Sequence, residues 1–152
     1  MIDISSLTNH LCFEDIFKNC QKEDGSYDWL KIAKTKNLPI AFIDKYFFQI
    51  YQYREIERKE NLSIFIIKKY GNYLNWNILF LNQNIDEEII INFSNKLDKA
   101  NWKLCAMTQK LSFEFLKKFY KNIQLNDLQK NKNISQELIQ DYKNYLDLVD
   151  NV

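Results

Sequence analysis

Glycine and proline are nearly missing from this chain: Gly25, Gly71 and Pro39 are the only ones in 152 residues. Tight hairpins draw on glycine for positive φ and on proline for fixed φ, so the shortage argues against an all-β fold. Helices need neither. Two glycines 46 positions apart cannot form a phosphate cradle, and no GxGxxG, P-loop or HExxH pattern occurs. Histidine is limited to His10, near the amino terminus, which leaves no Ser/His/Asp or Cys/His arrangement to assemble. The expectation is a non-enzymatic protein with no cofactor and no metal.

Charge of one sign is also lacking. Lys and Arg total 21 against 20 Asp and Glu, a formal net charge of +1, so no global field draws in nucleic acid or an anionic membrane. No apolar run approaches the 18 or so residues of a membrane span. The opening MIDISSLTNHL has neither the basic region nor the apolar region of a signal peptide. These features predict a soluble, cytoplasmic protein. What remains is 46% hydrophobic and 15% aromatic, too apolar for intrinsic disorder and sufficient for a single domain spanning residues 1–152.

The stretch LSIFIIKKYGNYLNWNILFLNQN, residues 62–84, is the template for most of the chain. With Leu62 as position zero, Ile66, Ile67, Tyr70 and Leu74 make one helical stripe, helix A. Trp76, Leu79 and Phe80 make a shorter one, helix B. The same frame fits starts at Leu38, Ile85, Leu111 and Ile134, with spacings of 23 to 26 residues. Position +5 is then Ile43, Ile67, Ile90, Leu116 and Ile139, and +8 is Tyr46, Tyr70, Phe93, Phe119 and Tyr142. Position −9 is Trp29, Tyr53, Trp76, Trp102 and Leu125, while −6 is Ile32, Ile56, Leu79, Cys105 and Leu128.

Stop and start signals sit side by side between repeats. Position −1 is Asn37, Asn61, Asn84, Lys110 and Asn133, and asparagine tolerates the left-handed backbone that ends a helix. Position +1 is Pro39, Ser63, Asp86, Ser112 and Ser135, which suit an N-cap or first turn. A more diverged repeat begins at Cys12, so six are counted, the sixth running to Leu148. The first and the fourth carry a three-residue insertion between their helices, in KEDGSYD and NKLDKAN. Residues 42–59 lack a separator and hold a favourable Glu55 to Lys59 spacing, which allows one continuous helix. Residues 1–9 fit no repeat and are expected to cap the array.

A two-turn helix B is marginal alone in water and must bury its tryptophan against neighbours. The sequence therefore predicts an all-α fold of tandem helix-turn-helix repeats, a short α-solenoid or compact helical array. The units NLSIFIIKKYGNYLNWNILFLNQN and QKLSFEFLKKFYKNIQLNDLQKNKNIS resemble tandem short helical repeats of giant-virus and phage proteins, a likeness covering residues 12–148. The resemblance implies a helical-repeat fold and a viral or phage origin, with host cytoplasm as the compartment. It implies no catalytic residue.

Few residues suggest chemistry. His10, Cys12 and Cys20 could be a fragment of a metal site, but Cys12, Cys20 and Cys105 occupy frame positions filled elsewhere by Leu, Tyr and Ile, so all three are expected in the core. Asp86, Glu87 and Glu88 fall at a helix start, where they favour its dipole. Lys68, Lys69, Lys117, Lys118 and Lys121, with Tyr120 for stacking, are the candidate nucleic-acid contacts, although the equivalent positions of other repeats break the stripe.

The informative departure is apolar residues beside the stripe, at +2 and +9. Ile40, Phe47, Phe48, Ile64, Phe65, Phe113 and Tyr120 are accordingly the candidate partner-binding residues, the competing explanation being packing between successive repeats. The leading expectation is a protein–protein interaction module aimed at a host protein. A nucleic-acid-binding repeat and a structural component of a virion are the alternatives.

Overall fold

The computed structural model of the protein describes residues 12–59 and 61–149. Among these residues it is all-α: eleven α-helices joined by short loops, no β-strand, and one isolated antiparallel bridge between Gln21 and Tyr27. The bridge closes the insertion of the first repeat, where Gly25 takes φ +82° and donates its N–H to Lys22 O. His10 and the expected capping segment, residues 1–9, lie outside the described residues.

The chain divides into two compact units, Met1–Lys69 and Tyr70–Val152. The N-terminal unit holds α1 (Phe13–Asn19), α2 (Trp29–Lys34), α3 (Ile40–Lys45), α4 (Phe47–Tyr51) and α5 (Ile64–Tyr70), which crosses the division at its last residue. The C-terminal unit holds α6 (Trp76–Asn82), α7 (Glu87–Phe93), a 3₁₀ turn (Ser94–Lys96), α8 (Lys99–Thr108), α9 (Phe113–Lys118), α10 (Leu125–Leu128) and α11 (Gln136–Val149). All but α11 are ten residues or fewer, too short to persist without packing.

Packing follows the repeat frame. The starting residues Leu38, Leu62, Ile85, Leu111 and Ile134 are all buried, as is every +5 residue and every −6 residue. The aromatic at +8 meets the tryptophan of the helix before it. Trp29 lies 5.5 Å from Tyr46 and Trp102 lies 4.8 Å from Phe119, centroid to centroid. In the N-terminal unit Phe13, Phe17 and Phe42 extend this into one aromatic cluster across α1, α2 and α3, with Phe13 and Phe42 4.9 Å apart edge-on.

Side chains cap helix starts at the expected Ser112 and, before helices B, at Asn75 and Asp98, whereas the expected Asp86 makes no side-chain cap bond. Ser112 Oγ accepts from Phe115 N at 3.2 Å, Asn75 Oδ1 accepts from Asn77 N at 3.0 Å, and Asp98 forms a reciprocal capping box with Asn101. Asn37 and Asn61 carry φ of 57° and 60°, the left-handed stop.

Three expectations are corrected. Residues 42–59 are not one helix: α3 ends at Lys45, α4 runs from Phe47 to Tyr51, and Arg54 then adopts φ 55° in a turn. No helix B forms around Tyr53 and Ile56. The guanidinium of Arg54 lies over the Tyr51 ring, donates to the Tyr51 hydroxyl and sits 3.6 Å from the buried Glu57, which holds the turn against helical continuation. Second, the break at Tyr46 resets the helical phase, so Phe47 joins Ile50 in the core at 1% exposure while Phe48 points outward. Phe47 therefore leaves the candidate surface. Third, Cys12 is exposed, whereas the repeat frame places it in the core; Cys20 and Cys105 are buried as expected.

Candidate functional site

Successive repeats of the C-terminal unit are tied by buried polar side chains. Gln109 accepts from Ile85 N at 2.7 Å and donates to Phe80 O at 2.8 Å, satisfying a backbone carbonyl near the C-terminal end of α6. Asn131 repeats the device one repeat later, donating to Ala106 O and Gln109 O at 2.7 and 2.8 Å. Two more ties run along the same junctions. Asn84 Oδ1 accepts from Lys110 N at 3.0 Å, and the Glu87 carboxylate takes both the backbone N–H and the hydroxyl of Ser112, the latter at 2.9 Å.

The matching junction of the N-terminal unit is built from different residues. Glu87 stands at position +2 of its repeat, and the +2 residue of the repeat starting at Leu38 is Ile40. Among the described residues no carboxylate bonds to Ser63, the counterpart of Ser112. Where Gln109 and Asn131 act, Lys59 donates from Nζ to Thr35 O at 2.7 Å. Burial holds the Lys59 ammonium below its usual pKa, with Glu55 acting in the opposite direction.

Beside this junction lies an open groove of about 580 Å³ between the Asn37 and Asn61 turns. Among the described residues its cations are Lys34, Lys36, Arg58 and Lys59, opposed by Glu55, and its apolar lining is Ala33, Leu38, Ile40, Ile43 and Leu62. Lys34, Lys36 and Arg58 are exposed, and among the described residues none of the three forms an ion pair. Repeat geometry explains the clustering: the left-handed Asn37 and Asn61 turn the chain at equivalent points, so the residues flanking both turns face one space.

The other candidate residues are distributed between the units. In the N-terminal unit Ile40, Phe48, Ile64 and Phe65 are each about half exposed, at 49%, 57%, 49% and 52%. Ile40 lines the groove, and Ile64 directly follows Ser63, which also lines it. Lys69 is paired with Asp44 at 2.7 Å, linking α3 to α5, and lies 5.6 Å from the Phe65 ring centre; Lys68 is exposed on the same helix. In the C-terminal unit Phe113 and Tyr120 are half-buried, each 6.2 Å edge-on from Tyr145 of α11. They pack against the next repeat. Lys117 is paired with Glu114 at 2.7 Å, whereas Lys118 and Lys121 lie over the rings of Phe119 and Tyr120.

Sequence reasoning missed Gln109, Asn131 and the groove cations. Polar residues at −2 and −3 were a usable signal, since Gln83, Gln109 and Asn131 recur there, but Lys59 in the same place breaks the residue type. Among the described residues, no group of three or more His, Cys, Asp or Glu could hold a metal ion, and no helix is long and apolar enough to cross a membrane. Burial, with a contribution from Glu87, pushes the Cys105 thiol up to about 12, which makes it a poor nucleophile. The chain matches no protein-family model, no curated protein and no solved structure.

Proposed function

We propose that the protein is a non-enzymatic protein-binding module whose binding surface is the groove of the N-terminal unit and its apolar rim. The observation that carries this reading is the half-exposure of Ile40 and Ile64 beside the groove, each two residues on from a buried repeat start, Leu38 and Leu62. Large apolar side chains left in water next to a concave surface are what a docking site requires. Phe65, the next residue on α5, is also half exposed. The likeness of the repeats to those of virus and phage proteins supports a virus- or phage-encoded module that engages a host protein in the cytoplasm.

Nucleic-acid binding draws less support. Of the five candidate lysines, Lys69 and Lys117 are committed to carboxylates, and Tyr120 packs against Tyr145 instead of standing free for stacking.

The test is an Ile64→Asp plus Phe65→Asp double variant. Both side chains are half exposed, so the variant is expected to fold with an unchanged helical spectrum and to lose partner proteins recovered by cross-linking to the wild type. A folded variant that keeps every partner overturns the reading.

A further inference from the structure

We infer that the groove of the N-terminal unit binds an acidic peptide segment, with a partner carboxylate placed beside Ser63 and aliphatic side chains on the Leu38, Ile40 and Leu62 lining. This deepens the protein-binding reading and rests on it. Three observations support the choice of partner.

The first is charge. Among the described residues, four cations and one carboxylate line this single groove, a local excess that the whole chain, at +1, does not have. Opposite charge on the partner lowers the cost of desolvating these groups and steers its approach.

The second is internal. At the junction of the C-terminal unit between the repeats starting at Ile85 and Leu111 the chain itself supplies a carboxylate, and Glu87 accepts from both the N–H and the hydroxyl of Ser112. Ile40 replaces that carboxylate in the N-terminal unit, and the junction there is the open groove. A peptide glutamate or aspartate would restore from outside the contact that one repeat makes for another.

The third decides between polymers. A single-stranded nucleic acid needs aromatic faces for its bases, and no aromatic residue lines the groove. The lining combines cations with branched aliphatic side chains, which suits an acidic sequence interrupted by leucine or isoleucine. A volume of about 580 Å³ accommodates a few side chains of an extended segment.

The experiment measures fluorescence anisotropy of three labelled probes on the intact chain: a peptide alternating glutamate and leucine, the same peptide with glutamine for glutamate, and a single-stranded oligonucleotide. The Glu–Leu peptide is expected to bind best, to weaken as salt is raised, and to lose about tenfold or more in affinity with Arg58→Glu. Ile40→Glu is expected to do the same by a different route, filling the Ser63 position from within the chain while leaving the melting temperature at or above wild type. Equal binding of the Glu–Leu and Gln–Leu peptides, both weakened by Arg58→Glu, overturns carboxylate recognition and leaves the protein-binding reading intact. Preference for the oligonucleotide overturns both. If no probe binds, the acidic-peptide inference falls, and the Ile64→Asp plus Phe65→Asp variant decides the broader reading independently.

Discussion

Trp76 and Phe93 are seventeen residues apart in sequence and meet with ring centroids 5.1 Å apart and planes at 45°. Trp29 with Tyr46 and Trp102 with Phe119 are spaced identically along the chain and meet at 5.5 and 4.8 Å. One contact, between the first turn of a helix B and the +8 aromatic of the following helix A, thus recurs in both compact units. It helps short helices hold together: α2, α6 and α8 are each fastened to the next helix A by a large buried or half-buried ring.

Removing that ring should be costly. Trp102 is 3% exposed, and Trp102→Ala is expected to lose about 3–5 kcal/mol of stability, while Trp102→Phe keeps an aromatic pair with Phe119 and loses less. Urea unfolding followed by circular dichroism separates the two. A loss below about 1 kcal/mol for the alanine variant would mean that the pair is incidental to folding.

The ties between repeats make a second, independent prediction. Gln109→Leu removes the acceptor for Ile85 N–H and the donor for Phe80 O, and Gln109 is buried. An unsatisfied buried group costs about 1–3 kcal/mol, so the variant should unfold at clearly lower urea than wild type. Glu87→Gln, which keeps an acceptor for the Ser112 N–H at a more exposed place, should cost less. An equal loss from both would remove burial as the explanation.

The helical repeat was readable in the sequence because it is written in apolar positions, and burial at 0, +5 and −6 recurs whatever the local turn does. Asn37 and Asn61 were readable as left-handed stops because that conformation restricts residue type. Asn84 and Asn133 sit at the same frame position and bond with their side chains instead, to Lys110 N and Thr108 O. A frame fixes position, and it leaves open which atoms of the residue act. The break at Tyr46 was not readable, because no residue type announces it; it moved Phe47 into the core. The groove escaped for a related reason. It lies beside Ile40, where the repeat starting at Ile85 has Glu87, and the meaning of that difference depends on seeing Glu87 reach Ser112 across 25 residues.

Thiol labelling under native conditions should separate the cysteines. Cys12 is exposed and is expected to react promptly with an aromatic disulfide reagent at neutral pH. Cys105 is fully buried with its pKa raised to about 12, and Cys20 is buried. Both should react only as the chain unfolds. Prompt labelling of Cys105 would show that α8 opens locally without global unfolding.

Alkaline pH provides a test of the α11 packing. The Tyr142 hydroxyl donates to Ile123 O at 3.1 Å, and burial, with a smaller contribution from Tyr145, pushes its pKa from 10.0 up to about 12. The folded state therefore keeps the Tyr142 proton to higher pH than the unfolded chain does. Its contribution to stability is fully present below pH 10 and falls as pH rises toward 12, because the unfolded chain loses the proton first. At about 1.4 kcal/mol per pKa unit, Tyr142 alone accounts for a decline of roughly 3 kcal/mol over that window. Cys105, raised from 9.0 to about 12, adds a decline that begins at lower pH. Urea midpoints measured across pH 8 to about 11.5 should fall for the wild type. Tyr142→Phe should flatten the upper part of the curve and Cys105→Ala the lower part. A Cys105→Ala curve that stays level from pH 10 to about 11.5 would mean that α11 leaves Tyr142 open to water.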